Sequence, residues 1–311
     1  MKRFFLISLL SCLLGGTTAY AQDCDIHLMA IEANTDEKMP EAAGEYLFNR
    51  LCTAVTGDGI SATGQYAQFF IAAKALPVYE QVVPGAPVKT AMTLSLNLYI
   101  GDYWGEKVFD RMAIEVRGVG ESRERAYLNA FRSLNKNNQQ IADFLRKGKQ
   151  RIIAYYDAEY NNIIREARRE SELRNYERAL FLLGAVPVCC NGYEAVADEL
   201  VKTYHFYIDY NCDRLLMQAR NAWAVSPDQK GAAEAARILN QLEPDAAYYG
   251  EALDLYKEIK AKMKDDWNFE MREKYKDEIA IRKQTIDAAR AVGVAFGEGQ
   301  QPQTTNLMWM R

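Results

Sequence analysis

The chain has 311 residues, 38 Lys and Arg against 42 Asp and Glu, a formal net charge of −4, and 49% hydrophobic residues. A mildly acidic chain with mixed charges argues against a nucleic-acid partner, which would call for a clustered basic surface. The length suffices for two cored domains at roughly 150 residues each.

The first residues read as an address. Lys2 and Arg3, the apolar run from Phe4 to Leu14, and the small-x-small site Ala19-Tyr20-Ala21 predict a secretory signal peptide over 1–21, cut before Gln22. The alternative is a lipobox, Leu9-Leu10-Ser11-Cys12, with Cys12 lipidated; it leaves a short apolar run and ignores the cleavage site downstream. Beyond the leader no stretch approaches the roughly 20 apolar residues that span a bilayer. The expected location is the periplasm or the outer membrane, in soluble form or peripherally attached. Cleavage leaves Cys24, Cys52, Cys189, Cys190 and Cys212. An oxidising compartment permits disulfides, and the odd count leaves a thiol over. The candidate pairs are Cys24 with Cys52, and Cys212 with Cys190 or Cys189; buried thiols are the competing reading.

Residues 26–33 suit a short strand. Pro40 then opens a helix whose apolar positions Ala43, Tyr46, Leu47, Leu51 and Ala54 recur at helical spacing, ended by the string TGDG. Three alternating segments follow, 66–83, 88–103 and 109–118, separated by VPGAP and GDYWGEK, which predicts an antiparallel meander. Next comes a helix with Ser122 as N-cap and Ala126, Tyr127, Ala130, Phe131 and Leu134 on one face. Gly118 and Gly120 precede it. They begin a G-x-G-x-x-G string, but the third place is Arg123, so the expected role is a strand-to-helix corner and not a phosphate cradle.

From Gln139 to about Arg174 the pattern is helical, with Arg168–Glu172 and Glu170–Arg174 as candidate i, i+4 pairs. No proline lies between Pro87 and Pro187, so helix, not a loose tether, should join the two halves. Residues 176–195 align with 233–252 at a constant offset of 57: Ala179 with Ala236, Leu182 with Leu239, Pro187 with Pro244, Glu194 with Glu251. Alanine lets backbones approach while leucine fills the gap, which predicts helical hairpins stacked as a short solenoid. Tyr248 to about Ala291 reads as one or two charged helices, with Glu270–Lys274 and Glu278–Arg282 as pairs, and residues 296–311 as an exposed tail. The expected fold class is α+β: an antiparallel sheet packed with helices over 22–150, then an all-α hairpin-repeat domain over 151–295.

The meander followed by VRGVGESRERAYLNAF, with Gly118, Gly120, Ser122, Ala126 and Ala130, resembles the periplasmic α/β domain shared by the TolB amino-terminal domain, the flagellar assembly protein FlgT and the curli secretion lipoprotein CsgG. The resemblance covers about 26–150 and implies a role in envelope assembly. The alanine-paced hairpins from about 155 to 265 look like tetratricopeptide-type repeats, which implies protein binding. The whole chain resembles secreted proteins of gut Bacteroidetes.

Candidate chemistry is sparse. The two histidines, His27 and His205, lie in different halves without metal-ligand spacing, and no nucleophile motif is present, so neither metal, cofactor nor catalysis is expected. Adjacent Cys189 and Cys190 lack the spacer of a redox pair. The strings DDWNFE and DAEY place carboxylates beside aromatics, as charged helix faces do. In TYHFYIDYNCD, one helical face cannot bury Tyr204, Phe206, Tyr207 and Tyr210 together, so some of these rings should reach the surface and meet a partner. The expected function is a non-enzymatic scaffold that binds a protein of the cell envelope; the alternative is a periplasmic binder of a small molecule or glycan.

Overall fold

The computed structural model describes residues 26–31, 39–56, 68–135, 137–272 and 278–300. The expected signal peptide, Cys12, Cys24, Lys274 and residues 301–311 lie outside the described residues.

Four strands form one sheet in the order β1 (Leu28–Ala30), β2 (Phe69–Val83), β3 (Lys89–Asp102), β4 (Lys107–Gly120). The last three make the expected meander, with Ile71 opposite Ile100 and Leu94 opposite Val116. The sheet is nonetheless mixed, because β1 runs parallel to β2. Helix α1 (Glu41–Thr56) lies between them in the chain, and a helical crossover returns the chain to the same end of the sheet. On β3 the residues Met92, Leu94, Leu96, Leu98 and Ile100 are buried while Thr93, Ser95, Asn97 and Tyr99 on the opposite face are only half-buried, the alternation of a sheet covered on one side.

Helix α2 (Arg123–Phe131) lies against β4, and Ser122 caps it by accepting the Arg125 N–H at 3.1 Å. Gly118 and Gly120 are strand residues, not a corner. A Cβ on Gly118 would stand 1.9 Å from the Ala126 carbonyl oxygen, and one on Gly120 would stand 2.5 Å from the Ala126 nitrogen. Their role is to let the helix backbone rest directly on the strand.

Helix α3 (Gln139–Glu172) crosses residue 150 without a break, followed by α4 (Tyr176–Gly184), α5 (Tyr193–Val225), α6 (Gln229–Leu239), α7 (Tyr249–Met263) and α8 (Glu278–Gln300). One core runs from Ile26 through the sheet and α3 to Leu200 and Ala289; a second gathers Ile208 to Trp267. On α3 the two expected pairs give way to contacts between elements, while Lys274 and the Glu278 side chain lie outside the described residues. Arg168 binds the buried Glu199 of α5 at 2.6 Å, and Glu170 takes Asn175 and Arg178. Likewise Glu270 pairs with Lys260, and Arg282 with Glu194 and Asp198 of α5.

The turns after α4 and α6 share a backbone hydrogen-bond pattern at an offset of 56 residues, not the 57 expected from the sequence. Val186 donates to the Leu183 carbonyl as Leu242 does to Leu239, Cys190 to Pro187 as Ala246 to Glu243, and Tyr193 to Cys190 as Tyr249 to Ala246. The buried residues follow the same step, Ala179 with Ala235, Leu183 with Leu239 and Val196 with Ala252. The alignment of Pro187 with Pro244 misleads by one place because either turn position can dispense with an N–H. The helices before each turn also correspond. Asp157 of α3 accepts the Asn191 N–H at 2.7 Å, and Asp209 of α5 accepts the Ala247 N–H at 2.6 Å.

The chain beyond residue 295 departs from the expected exposed tail up to Gln300. Phe296 and Gly297 belong to α8, with the Phe296 ring 6.1 Å from that of Phe181. Ala289, Gly293 and Gly297 recur every four residues on the face toward α4, where a Cβ on Gly293 would stand 2.7 Å from the Phe181 nitrogen.

Candidate functional site

Two places gather the features a binding protein needs: the outer face of α5 and a cavity at one end of the sheet.

On α5 the predicted aromatic residues divide between two directions. Tyr204 and Tyr207, three residues apart, are half-buried and pack against both cores, their ring centroids 6.2 Å apart. Burial, then the Glu243 carboxylate, pushes the Tyr204 phenol up to about 12, and burial raises Tyr207 in the same way. These two rings are packing residues. Phe206 and Tyr210, one turn apart, point outward and are 45% and 41% exposed. Lys202 Nζ stands 5.8 Å from the Phe206 ring centre, and the Arg174 guanidinium 5.9 Å from that of Tyr210, which also meets the Tyr176 ring at 5.8 Å. Met217 continues the stripe two turns on, 56% exposed, and Leu173, beside Arg174, is 65% exposed. His205 is half-buried on the same helix.

The cavity has a volume of about 830 Å³. Its walls come from five separate parts of the chain: the start of β1, the start of β2, the β3–β4 turn, the end of α4 with its following turn, and α8. Trp104 and Phe181 meet edge to face at 6.0 Å across it. Behind Gln68 and Trp104 lies a buried carboxylate. Asp102 is 5% exposed, and its Oδ1 accepts the N–H groups of Trp104 and Gly105, both at 2.9 Å. Its Oδ2 accepts Gln68 Nε2 and the Tyr156 hydroxyl, both at 2.8 Å. With four donors it is satisfied, and its effect is to pin the β3–β4 turn to α3. Burial, reinforced by Asp102, drives the Tyr156 phenol far above its ordinary range.

The cysteines correct the expected pairing. Cys189 is disulfide-bonded, whereas Cys190 and Cys212 are free thiols and Cys52 is a thiol too, so Cys52 bridges to no Cys24 and Cys212 to neither Cys190 nor Cys189. The bonded partner of Cys189 lies outside the described residues, as does Cys24. Burial and the Asp157 carboxylate push Cys190 up to about 12, and burial followed by Asp209 pushes Cys212 up to about 11, which makes both inert as nucleophiles at neutral pH. Among the described residues no group of three His, Cys, Asp or Glu is placed to hold a metal ion, and no helix is long and apolar enough to cross a membrane. Trp267, in the string DDWNFE, packs on Tyr256 and Phe269. Asp157, in DAEY, ties down a turn.

The sequence pointed to α5 and to some of four rings reaching the surface; Phe206 and Tyr210 are the two that do. It gave no sign of the cavity, whose lining residues are brought together only by tertiary folding. No family model, curated protein or solved structure matches the chain.

Proposed function

We propose that this chain is an exported, non-catalytic protein that docks a protein partner of the cell envelope on the outer face of α5. The observation that carries the reading is the exposure of Phe206 and Tyr210 on consecutive turns, each beside a cation and in line with Met217. Large rings left in water on a rigid helix are the usual anchors of protein interfaces, since they bring contact area at little cost in side-chain entropy. The stacked hairpins hold that helix in place: Arg168 and Arg220 reach from α3 and α5 to Glu199 and Glu251, at 2.6 and 2.8 Å.

The test is site-specific photocrosslinking in the native cell, with a benzophenone amino acid at Phe206 or Tyr210 and, for comparison, at Asp254 on α7. Adducts of one discrete mass at the α5 positions and none at Asp254 are expected. Exported, folded protein that yields no adduct at either α5 position would refute the reading.

A further inference from the structure

We infer that the cavity at the sheet end is a binding site for a single-chain amphipathic carboxylate of the fatty-acid type, its apolar chain in the cavity and its head on Arg290. The site is separate from the α5 face.

The volume, about 830 Å³, falls within the roughly 300–1,000 Å³ of small-molecule sites. Phe69, Leu180, Phe181, Val186, Ala291 and Val294 line it, so the greater part of its wall offers nothing to a polar ligand and favours a hydrocarbon. Charge then selects the head. Arg290, on the wall formed by α8, is half-buried, and its Nε is out of contact with solvent and has no hydrogen-bond partner among the described residues. The rest of the guanidinium makes only a long contact, Nη2 to the Val186 carbonyl at 3.4 Å, and lies 5.4 Å from the Tyr193 ring centre. No carboxylate among the described residues pairs with it within 4.0 Å. A guanidinium so placed, with no acid partner among them, has Nη donors to offer in the planar geometry that matches a carboxylate. The other charged groups on the wall, Asp287 and Glu298, are exposed at the rim, as is His27. Water screens them, so their two negative charges weigh less on a ligand than the half-buried cation does. A cationic amphiphile would reverse that ordering, which makes it the discriminating competitor.

The test is fluorescence titration of the full exported chain with cis-parinaric acid below its critical micelle concentration. Hexadecanoate, hexadecanol and hexadecyltrimethylammonium then serve as competitors. Saturable binding at one site is expected, displaced by hexadecanoate at about tenfold lower concentration than by the alcohol or the ammonium. Arg290→Gln should weaken the acid about tenfold and leave the alcohol unchanged. Ala295→Trp, at an exposed lining position of α8, should abolish binding while circular dichroism and the urea midpoint show an intact fold. The inference is overturned by any of four results: no saturable signal with the unmodified chain, equal displacement by acid and alcohol, preference for the ammonium, or undiminished binding by folded Ala295→Trp.

Discussion

Replacing Gly118 by Ala tests the role of the paired glycines directly. The added carbon would lie 1.9 Å from the Ala126 carbonyl oxygen and 2.6 Å from the Ala130 nitrogen, both backbone atoms of α2 that no rotamer change can move. Even a separation of 3.0 Å requires α2 to retreat by about 1 Å. A gap of that size forfeits a quarter to a half of the contact energy on the face it opens. That face carries Tyr127 and Phe131, 1% and 0% exposed, each worth about 1.5–3 kcal/mol when buried. The loss comes to roughly 1–3 kcal/mol, the usual cost of overpacking a core. Gly250, on α7, has nothing within 4 Å of its missing Cβ. Gly250→Ala should therefore stabilise by about 0.5–1 kcal/mol through helix propensity alone. Urea unfolding followed by circular dichroism reads both effects as midpoint shifts of opposite sign at constant slope. If Gly118→Ala unfolds at the midpoint of the unmodified chain, the close approach of helix and strand is not what these glycines provide.

Asp157→Ala and Asp209→Ala each remove a carboxylate from a turn N–H and should cost about 1–2 kcal/mol in the same urea assay, Asp157→Ala the more because its second oxygen also accepts Asn191 Nδ2 at 3.0 Å; an unchanged midpoint in either would refute the anchoring role. Tyr156, Tyr204, Cys190 and Cys212 all hold their protons more tightly folded than unfolded. Stability is then intact below about pH 9 and falls as pH rises toward 12, because the unfolded chain loses these protons first; urea midpoints measured across that range check it, and a rising midpoint would refute it. Mass spectrometry after alkylation of the native protein should find Cys190 and Cys212 slow to react until unfolded, and Cys189 unreactive until reduced.

Local features were the legible ones. Alternation placed β3, and the spacing of Ala43, Leu47, Leu51 and Ala54 placed α1, since each signal is written within one element. The Ser122 cap could be read because its partner is three residues away. What depended on distant segments could not. The parallel pairing of β1 is set by how α1 packs, and the lining of the cavity comes from residues as far apart as Phe69 and Val294. The end of α8 was read as a tail because Gly293, Gly297 and Gly299 are poor helix formers; contact with α4 overrides that weak preference. Matching identities put the two turns at an offset of 57, yet burial and turn hydrogen bonds correspond at 56: Leu183 and Leu239 both face inward, whereas the prolines sit one place apart.

The packing of α8 has a consequence for the cavity. Its buried positions are Thr285, Ala289, Gly293 and Gly297, small residues that bring two backbones together but remove little hydrocarbon from water. Larger side chains supplement that seam at intervals only: Ile286 and Val292 pack on the main core, Phe296 on Phe181, and Arg282 reaches Glu194 and Asp198. Since this same segment carries Arg290 and Val294, the seam that fixes α8 against α4 also fixes one wall of the chamber, and a change of volume at Gly293 would be felt there.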